Sequence, residues 1–287
     1  MKTTQEPVPR VGKLSREEFL ETYLRRNRPV VLTDVLRHWP AFEKWTPEYL
    51  KQVGGETEVT VHYNDQASFF DWYVHHEKRV DVKLPFRDFV DRLLSEEDAR
   101  EYYMTEYRVR TIAEALLDDL DFSDYFDADK EPYEPMLFLG RDTMMPLHYH
   151  GKMEAFLCQL QGEKRVTLYA PKDYSNLYPG KWHKRYPLFS RIDGRRILAG
   201  DVDVQRFPRF PRAEPIVIDL HPGDMLYIPL HWWHLTCAAG YQVNVSHFFR
   251  ARLPQWNFPV PGFPMLAREA MLKASSLFGT PASSDYD

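Results

Sequence analysis

The chain changes its hydrophobic rhythm near residue 136. Before that point, apolar residues recur mostly at helical spacing. "LSREEFLETYLRRNR" opens with a Ser-x-x-Glu capping box, Ser15 and Glu18. It then sets Phe19 with Tyr23, and Leu20 with Leu24, one turn apart, which predicts an amphipathic helix. "WTPEYLKQVGG" predicts a short helix entered through Thr46-Pro47 and stopped by Gly54-Gly55. "PFRDFVDRLLSEE" and "TIAEALLDDL" also read as amphipathic helices. Two stretches break the helical run: "PVVLTDVL" reads as a buried strand and "TEVTVHY" as an alternating one.

From residue 136 the period shortens. "MLFLG", "PLHYH", "EAFLCQLQG", "KRVTLYAP", "EPIVIDL", "DMLYIP" and "QVNVSHFF" are short strands divided by Gly and Pro, a density that predicts a barrel or jelly roll. Residues 172–212 interrupt them as an insert too long for an idle connection. The fold class expected is mainly β with added helices. Residues 1–135 form an N-terminal α/β extension packing on the barrel, and residues 136–253 form the barrel with its insert. Residues 254–287 form a Pro-rich tail with one helix, "PMLAREAMLKASSLF".

Composition narrows the function classes. A chain of 287 residues, 44% hydrophobic, can bury a full core. Its net charge of −5 argues against a nucleic-acid partner. No apolar leader and no run of about 18 apolar residues occurs, so a soluble, cytoplasmic protein without a membrane partner is expected. Cys158 and Cys237 lie in apolar runs and read as buried free thiols. Acids crowd residues 96–134, and bases, among them Arg195 and Arg196, crowd the insert. Both read as solvated surface, or the insert borders a pocket for an anionic small-molecule or peptide substrate. The opposite charges also leave a homodimer open.

The chemistry concentrates in "MPLHYHGKMEAF". His148 and His150 are one residue apart, so on a strand both rings face the same way. Two histidines and a third group on one face hold a divalent first-row metal with open positions. The third ligand must come from another strand. His234, in "PGDMLYIPLHWWHLT", follows a Pro-Gly-Asp turn and a buried strand, with Trp232 and Trp233 available to keep the site dry.

Three stretches in this order carry a resemblance: "FLETYLRRNRPVVLTDVLRHWPAFEKWTPEYL", "HYHGKMEAFLCQLQGEKRVTLYAPKD" and "LHPGDMLYIPLHWWHL". Together they resemble the JmjC-type, cupin-like (cupin-8) group that includes the asparaginyl hydroxylase of hypoxia signalling, over nearly the whole chain. The resemblance implies a double-stranded β-helix. It implies a mononuclear Fe(II) dioxygenase using 2-oxoglutarate and O2, with His148, His150 and His234 as catalytic metal ligands. Lys164, in "GEKRV", matches the lysine that pairs with the distal carboxylate of 2-oxoglutarate. Tyr103, in "REYYMTEY", matches a tyrosine that assists it.

The departures are specific. The family reads His-x-Asp or His-x-Glu where this chain has His148-Tyr149-His150. Met145, Ala155 and Ser246 stand where the family commonly has a small polar residue and two asparagines. A second pattern, His148-x-His150-x(3)-Glu154 with Gly223-x(5)-Pro229-x(4)-His234, resembles small cupins. Those hold iron or another metal with three histidines and often a glutamate, without 2-oxoglutarate. Glu154 is therefore a further candidate ligand, provided no bulge follows Gly151. Three neutral histidines leave Fe(II) its full charge, so a bound dianion gives a neutral complex. A 2-oxoglutarate hydroxylase, a three-histidine cupin dioxygenase and a catalytically inactive binding module all remain open at this point.

Overall fold

The computed structural model describes residues 6–63, 80–95, 102–125, 134–180 and 188–277. Eleven strands run in chain order: β1 Arg10–Val11, β2 Val30–Leu32, β3 Glu58–Tyr63, β4 Val80–Pro85, β5 Tyr102–Arg108, β6 Met136–Arg141, β7 Met144–His148, β8 Met153–Tyr169, β9 Ile216–Leu220, β10 Met225–Ile228 and β11 Trp233–Arg250. The helices are α1 Arg16–Phe19, α2 Pro40–Lys44, α3 Pro47–Gly54, α4 Phe86–Leu94, α5 Val109–Ile112, α6 Gly194–Ala199 and α7 Gly262–Leu277. α1 runs on into a π-helical turn over Leu20–Leu24.

Two long strands organise the sheet. The first half of β8 and the second half of β11 lie in the order β1-β2-β10-β8-β11-β6-β5-β3-β4. Their other halves leave this sheet and pair with β9 and β7. The sequence divides β8 into two strands at Gly162, but the chain bends there without stopping. Gly162 has φ +70°, and a Cβ would sit 2.2 Å from the Tyr241 carbonyl, so glycine supplies a corner that a side chain would block. Opposite it, the β8–β11 register slips between Ala239 and Val243. "QVNVSHFF" is likewise only the later part of β11.

Three apolar layers follow. Val31, Ala155, Leu157, Leu226 and Ile228 of the large sheet pack with Val166, Leu168, Ile216, Ile218 and Leu220 of the smaller one, the interior of a jelly roll. Phe156, Cys158, Tyr227 and Phe249 point the other way, into a layer covered by Phe19, Trp39, Trp45 and the α4 residues Phe86, Phe89 and Val90. Tyr149, Tyr169, Trp233 and Leu235 back the smaller sheet against the insert and Met265 of α7.

The N-terminal region is part of this sheet. β2 pairs with β10, and β5 pairs with β6, so no break in the sheet marks residue 136. The expected helices largely form, with the Ser15–Glu18 capping box complete and Thr46 capping α3. "TIAEALLDDL" departs from expectation: α5 ends at Ile112, Ala113 is extended, and Glu114–Asp119 form a 3-10 turn. A tertiary network accounts for the break. Asp119 is buried and accepts from Trp45 Nε1 at 3.0 Å, Tyr49 OH at 3.0 Å and Lys44 Nζ at 2.8 Å. Cys158 and Cys237 are free. Among the described residues, no helix is long and apolar enough to cross a membrane.

Candidate metal centre

His148 ends β7 and His234 begins β11, and the two are direct register partners. His150 follows two residues after His148. One ligand atom from each of the three histidines lies within 4.8 Å of the others. Ring centroids are 4.1 Å apart for His148 and His234, 4.7 Å for His150 and His234, and 5.5 Å for His148 and His150.

Backbone contacts orient two of the rings. His148 Nδ1 is 2.8 Å from the Pro146 carbonyl, and His234 Nδ1 is 3.2 Å from the Trp232 carbonyl. An N–H donated there fixes the tautomer and leaves Nε2 with a lone pair, as in metal-binding histidines. Phe189 of the insert stacks on His148 at 5.1 Å, and Phe248 meets His150 edge-on at 5.2 Å. Burial pushes His148 down to about 4 and His150 down to about 3, and it holds His234 well below the usual imidazole range. All three are neutral at pH 7. His150 Nδ1 is buried without a hydrogen-bond partner among the described residues. Such a nitrogen is costly unless something takes its lone pair. Three converging neutral imidazoles, one with an unpartnered nitrogen, fit a divalent cation.

The same pocket takes in Lys164 and Tyr103, together with Met145 and Ser246. Lys164 is 4% exposed, and no carboxylate pairs with it among the described residues. Its ammonium lies 5.9 Å from the Phe138 ring centroid, and burial pushes it down to about 7. Burial raises Tyr103 above the usual phenol range against a hydrogen bond to Thr143. Arg165, the neighbour of Lys164, turns outward to Asp219.

Glu154 does not join the histidines. Its strand begins at Met153, after the chain has left β7, so the parity carried from His148 is lost. Ala155 and Leu157 face the interior, and Glu154 faces the opposite side. Its carboxylate accepts from Tyr227 OH at 2.7 Å and Gln255 Nε2 at 2.9 Å. Burial raises it to about 7.

Sequence reasoning missed Asn244, which lines the pocket two residues before Ser246. Ser246 Oγ donates to Asn244 Oδ1 at 3.1 Å, and Asn244 Nδ2 donates to Gln159 Oε1 at 3.2 Å. The alternation Asn244, Ser246, Phe248 in "VNVSHFF" was the available signal. Three other described histidines serve elsewhere. His231 meets the Gly151 carbonyl and Asn257, His221 meets Glu163, and His247 stacks on Phe122. His183, Lys181, Lys184 and Arg185 lie outside the described residues. Arg195 and Arg196 pair with Asp193 and Asp201 within the insert, and neither arginine lines the pocket. The insert instead braces β7: Ser190 N donates to the Leu147 carbonyl and Tyr149 N to the Leu188 carbonyl.

The chain belongs to the family of cupin-like domains, whose model matches residues 15–253. It is similar to the Jumonji C domain-containing protein 5 of Drosophila melanogaster, 29% identical over 252 residues, which are 84% of this chain and 59% of that protein. It is similar to the tRNA wybutosine-synthesizing protein 5 of Mus musculus, 28% identical over 263 residues, covering 85% of this chain and 78% of that one. It is also similar to the lysine-specific demethylase 8 of Xenopus tropicalis, 26% identical, covering 84% of this chain and 52% of that one.

Proposed function

We propose that the protein is an iron(II)- and 2-oxoglutarate-dependent oxygenase that hydroxylates a C–H bond of a peptide, an amino acid or a small metabolite. One observation carries the reading: a three-histidine cluster and a buried lysine, unpaired with any carboxylate among the described residues, line one pocket. His148, His150 and His234 would hold the metal, which when bound supplies the activation of O2 for the hydroxylation. Lys164 would pair with the far carboxylate of 2-oxoglutarate, and the Tyr103 hydroxyl would donate a hydrogen bond to it. A charge-assisted contact in a dry site is worth about 1.5–3 kcal/mol, enough to pay for ionising Lys164. Phe189, Phe248 and Phe138 keep water from the rings and the ammonium.

The neutral ligand set favours a second reading, a three-histidine dioxygenase that needs no 2-oxoglutarate. The relatives' names point to different substrates, a tRNA base and lysine, so the resemblance carries no single substrate class to this chain. Oxygen consumption by the iron-loaded protein, with and without 2-oxoglutarate, separates the readings. Consumption that requires 2-oxoglutarate and yields succinate supports the first. Consumption without it supports the second, and none at all with retained ligand binding leaves a binding module.

A further inference from the structure

His148 and His234 are placed by the register of β7 and β11, but His150 lies past the end of β7, where that register no longer reaches. Other contacts have to fix it. On its N-terminal side, Tyr149 N donates to the Leu188 carbonyl at 3.1 Å. On its C-terminal side, the Gly151 carbonyl lies 3.3 Å from His231 Nε2. Gly151 leaves little slack in this turn. A Cβ there would sit 3.0 Å from Met265 Sδ and 3.3 Å from Leu188 Cδ2.

His231 is buried and has φ 65°, a left-handed backbone that is costly for a side chain of its size. Both of its ring nitrogens are engaged. Nδ1 accepts from Asn257 N at 3.2 Å, and Asn257 Nδ2 lies 3.3 Å from it, so this nitrogen carries no proton. Burial pushes the ring down to about 4, which makes it neutral at pH 7. Its one proton is therefore on Nε2 and is donated to Gly151. Trp256 meets the ring edge-on at 5.6 Å and Tyr149 at 6.1 Å. His231 does not line the pocket that holds the three histidines, so it acts only through its neighbours.

We infer that His231 is a positioning residue for His150: its Nε2–H holds the Gly151 carbonyl, and its Nδ1 anchors that turn to the C-terminal segment at Asn257. The consequence for metal binding rests on the reading of the three histidines as the metal centre.

Two substitutions separate the two hydrogen bonds. The amide nitrogen of glutamine falls close to the place of imidazole Nε2, and the amide oxygen of asparagine close to that of Nδ1. His231→Gln thus keeps the donor to Gly151. His231→Asn keeps the acceptor for Asn257 and tolerates the left-handed backbone. NMR of the metal-free protein with 15N-labelled histidines is the first readout, each ring assigned by its own His→Gln variant. The His231 ring of the wild type should be the Nε2–H tautomer. In His231→Asn the His150 signals should shift or double while those of His148 and His234 stay, and in His231→Gln all three should stay. Titration with Co(II), followed by its visible d–d absorption, is the second readout. His231→Asn should weaken Co(II) about tenfold and change the shape of the band, and His231→Gln should hold the affinity within about twofold. An Nδ1–H tautomer in the wild type overturns the inference without any variant. So do His150 signals that ignore His231→Asn, or equal losses in the two variants with lowered thermal midpoints, the pattern of a histidine that only packs. His150 signals that follow the variants as stated, in a wild type that takes up no Co(II), sustain the positioning role while the metal reading falls. A Co(II) band that disappears in His234→Ala but is untouched in His231→Asn removes the inference alone.

Discussion

His234 stands directly opposite His148 in the β7–β11 pair, with ring centroids 4.1 Å apart. Two ligands of the candidate centre are thus a cross-strand pair, held by the register of the sheet and not by a loop. His150 joins them from two residues beyond the end of β7. A site held by strand register should fold with or without its metal.

His234→Ala should therefore lose bound iron or zinc and keep its fold. The substitution opens a small space but also removes a buried imidazole, so the metal-free stability should change by less than about 2 kcal/mol. Metal analysis and thermal unfolding of the variant check this, and full metal occupancy would refute the assignment.

Lys164 is a buried ammonium whose folded value falls to about 7 from 10.5. The unfolded chain then holds more protons between about pH 7 and 10.5, so stability rises as pH increases through that window. Lys164→Met should raise the thermal midpoint of the ligand-free protein at pH 7. It should also weaken 2-oxoglutarate binding roughly 10- to 100-fold. A lower midpoint with unchanged binding would contradict both roles.

Glu154 shows the opposite sign. Its folded value is raised from 4.5 to about 7, so its contribution to stability is lost as pH rises through that range. Glu154→Gln should bind as much metal as the wild type and should be the more stable of the two at pH 8. Metal loss in Glu154→Gln would return the glutamate to the ligand set.

The histidines predict how the site responds to acid. With His148 at about 4 and His150 at about 3, protons compete with a metal only below about pH 4 to 5. Metal affinity should be nearly flat from pH 8 to about 5, unlike a site of exposed histidines, which weakens below about 6.5. The unfolded rings do take protons near 6.5, so these groups lower the stability of the metal-free protein as pH falls from 6.5 toward 4. Competition with a chelator across pH measures the first effect, and denaturant unfolding the second.

Much of this was legible because it was local. The Ser15–Glu18 box, the Thr46 cap and the spacing of His148 and His150 each depend on a few neighbouring residues. What escaped was set by distant partners. Gly162 reads as a strand end, but it is a corner because Tyr241 crosses it. "TIAEALLDDL" has helical spacing, yet Trp45, Tyr49 and Lys44 claim Asp119 and break it. Parity carried His148 to His150 and failed for Glu154, because the chain leaves β7 and enters β8 between them.

The central claim is that one pocket holds both the metal and 2-oxoglutarate. Anaerobic titration of 2-oxoglutarate into the Fe(II)-loaded protein tests it most directly, followed by the metal-to-ligand absorption band and by calorimetry. The account predicts one equivalent bound, a band that appears with it, and loss of both in Lys164→Met and His234→Ala. Iron bound to the wild type with no uptake of 2-oxoglutarate would contradict it.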